Sequence, residues 1–388
     1  MGDTAEKIPL NTGGAKPKYN AAFVERAGAD SLRPEKGEGE GWKTRLDGTA
    51  LVVGPSAAVD EAAGEQKSGK AGTASSKAMV LALEDVVGCE VKSGSVLVVH
   101  SYPRAVGCCG GEGGRRGHAE TRFAAGSGAA VAFWHREIMF AVRCGGLVGT
   151  AGRAVPRRNV LVLVNPCSGA GLAPKLFEDE VEPVLKHAQL DYHLHVTTCQ
   201  GDGEALVRKV KLGAWAGPAA AAAAAGAEGE AGEAASTSVA ASSETVSEAK
   251  TSAGGDGAEG AEAARIACES AEFTGDEQRS FDTVLVVSGD GLLYEAVQGI
   301  MARQDWREAI KVSLCIAPGG SANGLSMSVL HRCGEAYGGL EAAFVCAKGV
   351  PMPFDISSTF SGPEMLNHTC EFGVAGVGVT GRRLRFEV

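Results

Sequence analysis

No C-x-x-C pair occurs in the 388 residues, although there are eleven cysteines. An odd number of scattered thiols argues against a disulfide framework or a zinc-ribbon site, and points to a reducing compartment. No run of about 18 apolar residues exists either, so nothing in the sequence is built to span a bilayer. The start, MGDTAEKIPL, is polar and acidic and is no signal peptide. Gly2 would suit a myristate, but Glu6 stands where Ser or Thr is expected. Net positive charge is also missing. The formal charge is −10 and no long basic stripe offsets it, which argues against a nucleic-acid partner. The expectation is a cytoplasmic chain that meets any membrane substrate from the cytosolic side, by peripheral association with intracellular membranes.

The most informative stretch is Phe281 to Arg303. Thr283 to Val287 is a short β-branched apolar run with the length of a buried strand. Ser288-Gly289-Asp290-Gly291 breaks it. Leu292, Leu293, Ala296, Val297, Ile300 and Met301 then recur at helical spacing. Such a strand–turn–helix places backbone N–H groups and a carboxylate at the mouth of a parallel sheet, where open α/β sheets bind ligands. Gly289 and Gly291 let a phosphate approach the backbone. Asp290 would take a proton from a hydroxyl, hold Mg²⁺ on the phosphates, or simply cap the helix in an Asp-Gly turn.

Two more strand ends carry glycine loops. Val160 to Val164 runs into Asn165-Pro166-Cys167-Ser168-Gly169-Ala170-Gly171, and a helix follows with Pro174 in its first turn. No G-K-[ST] closes this loop, so it is not a Walker A element. Val312 to Ile316 runs into Ala317-Pro318-Gly319-Gly320-Ser321-Ala322-Asn323, with a helix expected over Leu325 to Leu330. Between them, Tyr192 to Thr198 alternates like a strand and leads into a helix expected over Glu204 to Leu212. His193 and His195 share a face of that strand. With no carboxylate or cysteine at ligand spacing, they read as solvent-facing.

Three glycine loops in this order, with SGDG followed by Glu295 and an apolar helix, resemble the diacylglycerol kinase superfamily of lipid kinases. The nearest likeness is to sphingosine kinases, whose segment reads SGDG-L-x-x-E-x-x-x-G-hydrophobic-M. The resemblance covers roughly Asn159 to Val388. It implies ATP and Mg²⁺ as cofactors and a lipid hydroxyl as acceptor, most specifically on a sphingoid base. It implies nucleotide contacts at Asn165, Gly169, Gly171, Thr198, Ser288, Gly289, Gly291, Gly320, Ser321 and Asn323, with Asp290 as general base. Glu295 would orient Asp290 or the metal, or stand as a surface carboxylate. Ala170 and Leu172 stand where sphingosine kinases often carry lysines. Ala322 replaces a common Gly, tolerable if its φ stays negative. The rival readings are a diacylglycerol or ceramide kinase, an NAD kinase relative, and a catalytically inactive lipid-binding or adaptor protein.

The expected fold is α/β: a Rossmann-like parallel sheet with phosphate loops, preceded by a small β-module and followed by the start of a β-rich domain. Residues 1–48 are Gly-, Lys- and Glu-rich without periodicity and read as disordered. Residues 49–146 carry several short strands and a closing amphipathic helix, Gly128 to Cys144. This pattern resembles the pleckstrin-homology-like module that precedes the catalytic domain in plant-type sphingosine kinases and ceramide kinases. Glu61 to Lys77 reads as a polar insertion within it. Arg104, Arg115 and Arg116 are candidates for anionic head groups, or merely solubilise their loop. Cys108-Cys109 read as inert thiols rather than acylation sites.

Residues 159–350 would form the ATP-binding domain, with a low-complexity insertion over 213–280 that cannot bury enough surface to order itself. Residues 351–388 would begin the lipid-binding β-domain, with strands opening at Met352 and over Cys370 to Gly378. The family's acidic head-group segment is replaced by Ala375-Gly376-Val377-Gly378. Arg382, Arg383 and Arg385 stand near family arginines that touch phosphate, in a loose register. Because Val388 falls inside an expected strand, the resemblance implies a chain truncated at its carboxyl end.

Overall fold

The computed structural model describes residues 23–36, 41–68, 78–105, 114–149, 154–215, 279–349, 351–361, 364–370 and 383–387. The amino-terminal strands are β1 (Phe23–Ala27), β2 (Arg33–Pro34), β3 (Trp42–Asp47), β4 (Ala50–Pro55), β5 (Met79–Ala82), β6 (Val86–Lys92), β7 (Val96–Ser101) and β8 (Ala119–Ala124). They form two antiparallel sheets, ordered β1-β3-β4-β5 and β2-β8-β7-β6. Helix α1 (Ser56–Ser68) follows β4, and helix α2 (Gly128–Arg143) closes the module. Ser127 caps α2 by accepting the Ala130 amide at 3.1 Å. Trp134 on α2 is fully buried among Leu46, Leu51, Leu97 and Phe123, and its indole N–H donates to the Asp30 carbonyl at 2.8 Å.

Two expectations fail here. Residues 1–48 were expected to be disordered, yet 23–47 contain three strands. β1 and β3 are stitched by charge and cation–π contacts that carry no hydrophobic signature. Lys43 Nζ lies 2.9 Å from Glu25 Oε1, and the Arg45 guanidinium covers the Phe23 ring at 3.7 Å. The insertion expected from Glu61 overlaps α1, which is rich in helix formers and buries Ala58 and Val59. Residues 1–22, the Cys108-Cys109 pair and the stretch 216–278 lie outside the described residues.

The second half is built on β9 (Asn159–Val164), β10 (Asp191–Val196), β13 (Thr283–Ser288) and β14 (Ser313–Pro318), all parallel in the order β10-β9-β13-β14. A short parallel pair, β11 (Lys211–Leu212) and β12 (Ser280–Phe281), flanks it. Both faces are covered, which explains the unbroken apolar runs in the sequence. Leu161, Leu163, Val284, Val286, Leu314 and Ile316 face one cluster. It includes helix α5 (Asp202–Lys209), helix α6 (Asp290–Met301) and the half-buried Trp306 of helix α7 (Trp306–Ala309). Val160, Val162, Val164, Leu285 and Val287 face the other. There they meet a helix whose α3 (Ala173–Leu176) and α4 (Glu182–His187) segments are joined by a π-helical turn, Phe177–Val181. Helix α9 (Gly339–Lys348) covers the same face, and helix α8 (Gly324–Arg332) precedes it.

The strand order matters for function. The chain leaves β9 toward β10 on one side and later returns to place β13 on the other. The direction of winding reverses between β9 and β13, and a crevice opens outside their carboxyl ends. A further, antiparallel sheet follows in the order β16-β15-β17, with β15 Pro353–Ser361, β16 Glu364–Cys370 and β17 Arg383–Glu387. Of the strand expected over Cys370 to Gly378 only Cys370, the last residue of β16, is among the described residues. Residues 371–382, including Ala375 to Gly378 and Arg382, lie outside the described residues.

Of the arginines read as head-group candidates, Arg116 points inward, whereas Arg104 and Arg115 stay exposed. Arg116 is buried and forms a two-pronged bond to Glu335, at 2.8 Å through Nε and 2.8 Å through Nη2. It also donates to Asp85 Oδ1 at 2.8 Å, and its guanidinium covers the Phe344 ring at 3.7 Å. Arg104 reaches Glu335 at 2.7 Å, and Arg115 Nη2 donates to the Tyr337 carbonyl at 3.3 Å. All three therefore dock the module on the α/β half. A basic loop looks the same in sequence whether its partner is a lipid or a distant carboxylate.

Candidate active site

At the crevice three loops meet backbone to backbone. A Cβ placed on Gly320 would come within 2.2 Å of Gly289 Cα, and one on Gly169 within 3.1–3.2 Å of the Gly319–Ser321 backbone. Glycine is required by this proximity, and Gly169 and Gly171 also hold φ of 57° and 74°. The loops are tied by specific bonds. Asp290 N–H donates to the Ala322 carbonyl at 3.1 Å, and Gly319 N–H to the Ser288 carbonyl at 3.0 Å. Ser168, which the sequence reading passed over, takes the Gly289 amide at 3.1 Å and the Ser288 hydroxyl at 3.0 Å on its Oγ. The only sequence signal for it was a small polar residue inside the first loop.

Two asparagines shape their own turns. Asn165 Oδ1 accepts the Cys167 amide at 2.9 Å. Asn323 Oδ1 accepts the Gly320 amide at 3.0 Å, while its Nδ2 donates to the Gly320 carbonyl at 2.6 Å. Ala322 is not among the positive-φ residues. The floor of the crevice, Ser168, Ser288 and Gly289, is buried, whereas Gly169, Gly171, Gly291 and Ser321 are exposed on its rim. The amino ends of α6 and α8 open onto the same place, an arrangement that favours an anion.

Asp290 is half-buried at the first position of α6. Its Oδ2 accepts the Gly324 amide at 2.9 Å, and its Oδ1 lies 3.5 Å from the Leu325 amide. The carboxylate is thus oriented by the next helix, α8, and bridges the second and third loops.

Thr198 and Glu295 belong to a neighbouring cluster around the start of α5. Thr198 donates to Asp202 Oδ2 through its amide at 2.7 Å and its hydroxyl at 3.1 Å. His195 Nε2 lies 3.2 Å from the same oxygen. So His195 has a carboxylate partner and is not simply solvent-facing. The partner is seven residues along the chain, brought back by the turn at Gly201. His193 is half-buried, and burial lowers its pKa. Burial pushes the Asp202 carboxyl up, but the bonds from His195 and Thr198 outweigh it and hold the group below the usual carboxylate range. Glu295 faces Gly203 rather than Asp290. Burial raises its pKa, partly offset by the amides of Gly201 and Gly203. Cys199, in the same loop, is disulfide-bonded, against the expectation of thiols alone. The cysteines at 89, 167, 315, 333 and 346 are free.

A separate apolar cavity lined by Arg158, Leu314, Ile316, Val329, Cys346 and Met352 touches none of the glycine loops. Among the described residues no helix is long and apolar enough to cross a membrane.

The diacylglycerol kinase catalytic domain matches residues 159–237 and 234–358. Sphingosine kinase 1 of Rattus norvegicus is 29% identical over 176 residues, covering 45% of this chain and 29% of its own. Sphingosine kinase 1 of Arabidopsis thaliana is 22% identical over 205 residues, covering 53% of this chain and 29% of its own. The match therefore spans under a third of the length of these relatives. A solved diacylglycerol kinase from Bacillus anthracis aligns over 52% of this chain and 43% of its own, at 18% identity and a TM-score of 0.28. Since the family match alone spans more than half of the 388 residues, the chain belongs to the diacylglycerol kinase catalytic-domain family, with sphingosine kinases among its relatives.

Proposed function

We propose that the chain binds ATP in the crevice and transfers its γ-phosphoryl group to the primary hydroxyl of a sphingoid base. The observation that carries this reading is the joining of the three glycine loops through Gly169, Gly289 and Gly320, with Asp290 on the rim. The exposed backbone of Gly169, Gly171 and Ser321 suits phosphate oxygens, and the amino ends of α6 and α8 favour their charge. Asn165 and Asn323 keep two of the loops in register. Ser288 and Gly289 form the floor, with Gly291 at the open edge.

Asp290 accepts the proton of the attacking hydroxyl, and the amides of Gly324 and Leu325 hold it in position. Its carboxylate oxygens also suit a hard cation. Mg²⁺, when bound there, supplies charge neutralisation on the phosphates. Thr198 and Glu295 support the site indirectly, by fixing the β10–α5 turn. The sphingoid assignment draws on the named relatives. Diacylglycerol and ceramide are the alternative acceptors, met at a membrane surface by a peripherally associated cytoplasmic chain.

One observation favours a second reading, an inactive lipid-binding or adaptor protein: the Asp290 carboxylate is already engaged as the cap of α8. The test offers sphingosine, diacylglycerol and ceramide separately with labelled ATP to the full chain and to Asp290→Asn. Asn keeps an acceptor for the Gly324 amide, so the fold should survive. Phosphorylation of sphingosine should fall about 10²–10⁴-fold in the variant. Equal turnover by both proteins removes the base assignment, and ATP binding without turnover by either selects the inactive reading.

A further inference from the structure

A second group of chemistry-bearing side chains lies at the seam between the module and the α/β half. His100 comes from β7, His118 from the residue before β8, and His187 is the last residue of α4. One ring nitrogen from each lies within 4.8 Å of the other two. His100 Nδ1 and His118 Nε2 are 3.1 Å apart. The His187 ring stacks face to face on both others, with centroids 4.1 Å from His100 and 4.3 Å from His118, so it must swing aside for its in-plane lone pair to meet an ion that the other two share. Two imidazoles bound to one tetrahedral zinc, each at about 2.0–2.1 Å, stand roughly 3.3 Å apart, nitrogen to nitrogen. The observed spacing is close to that value.

The rings are also held from behind. Glu90 Oε1 lies 3.4 Å from His100 Nε2. A proton on Nε2 shared with that carboxylate leaves the Nδ1 lone pair facing His118. A carboxylate behind an imidazole is the usual support of a metal-bound histidine. The hydroxyl of Tyr102, itself buried, is 2.7 Å from His187 Nδ1. When Nδ1–H donates to that oxygen, Nε2 is the nitrogen left to ligate. The seam is tight: a Cβ on Gly88 of β6 would come within 2.3 Å of the His187 carbonyl. Three imidazoles gathered from separate segments repel one another when protonated, and when neutral they are held by stacking and by the His100–His118 and Tyr102–His187 hydrogen bonds. A shared cation gives all three a common partner.

We propose that His100, His118 and His187 form a zinc site that clasps the amino-terminal module to the α/β half, with a fourth position open to water. Imidazole donors suit zinc and its neighbours in the first transition row, while magnesium prefers oxygen. The clasp is therefore chemically separate from any ion accompanying a nucleotide. It spans two parts of the chain, so zinc binds the docked arrangement and stabilises it by mass action.

The experiment strips the full chain with chelator, adds ZnCl₂, desalts, and measures bound zinc by atomic emission. A Co²⁺ titration read by visible d–d absorption reports the ligand field. The native chain is compared with His118→Ala, with His118→Ala/His187→Ala and with Glu90→Gln. His118 is exposed, so its replacement should leave the fold intact, checked by circular dichroism. One zinc per chain should survive desalting. Affinity should fall at least tenfold in His118→Ala and about tenfold in Glu90→Gln. Zinc should raise the melting temperature of the native chain and not of the double variant. The proposal is overturned if the native chain retains no zinc, or if the double variant retains as much. The trio is then a hydrogen-bonded stack, and the free thiols account for any metal.

Discussion

Ser168 Oγ accepts the Gly289 amide at 3.1 Å across 121 residues of chain, joining the first glycine loop to the second. The same oxygen takes the Ser288 hydroxyl, and all three residues are buried. Ser168→Ala leaves a buried N–H and a buried hydroxyl without this acceptor. The expected cost is about 1–3 kcal/mol of unfolding free energy. ATP affinity should fall with it, because the loops lose their common pin. Urea denaturation and ATP titration of the variant check both, and an unchanged denaturation midpoint would show that water replaces the hydroxyl.

Gly320 provides the other join. An added Cβ would lie 2.2 Å from Gly289 Cα and 2.5 Å from its nitrogen, both backbone atoms that cannot swing aside. Gly320→Ala must therefore push the third loop off the second. ATP binding should be lost by more than tenfold, while the amino-terminal module, which has its own core around Trp134, keeps its fold. Tryptophan fluorescence of the buried Trp134 reports the module, and nucleotide titration reports the crevice.

Arg116 and Glu335 form the charged centre of the seam, with both side chains only 5% exposed. Arg116→Met removes the partner of a buried carboxylate and should destabilise the chain by about 3–5 kcal/mol. Burial alone would raise the Glu335 pKa, but the bonds from Arg116 and Arg104 outweigh it and bring the carboxyl below its usual value. A group whose pKa is lower folded than unfolded adds stability above its unfolded pKa, about 4.3. It loses that stability as pH falls through the folded value. Denaturation midpoints should therefore drop steeply below about pH 4 in the native chain and less so in Glu335→Gln.

The residues that were legible in the sequence share one property: their environment leaves its mark on the residue type itself. β9, β13 and β14 are buried on both faces, so their apolar runs are continuous and easily read. The loops after them are glycine-rich because backbones touch there, and glycine is visible as such. What stayed hidden depends on partners far along the chain. β1 and β3 are held by Glu25, Lys43 and Arg45, whose charges read as a solvated segment. Arg116 meets Glu335 across 219 residues. Asp202 was passed over because its neighbours Thr198 and His195 converge on it only through the turn at Gly201. The histidine trio draws on three segments with no shared spacing.

Glu295 carries the last prediction. Its carboxylate is half-buried at the start of α5, and Oε2 has no hydrogen-bond partner. Burial raises its pKa first, the amides of Gly201 and Gly203 lower it, and the nearby charges of Glu204 and Asp202 raise it again, leaving a net upward shift. For a carboxyl whose folded pKa lies above its unfolded value, the folded state favours the protonated form. That contribution is fully present below the unfolded pKa, about 4.3. It is lost as pH rises through the folded value. At neutral pH the ionised group is therefore a net cost. Glu295→Gln keeps an oxygen for the α5 amides and removes the buried charge. Its unfolding free energy should gain on the native chain as pH rises from about 4 to 7. Paired urea titrations across that range measure the difference directly. A constant difference would mean that Glu295 is solvated in solution and that α5 does not depend on it.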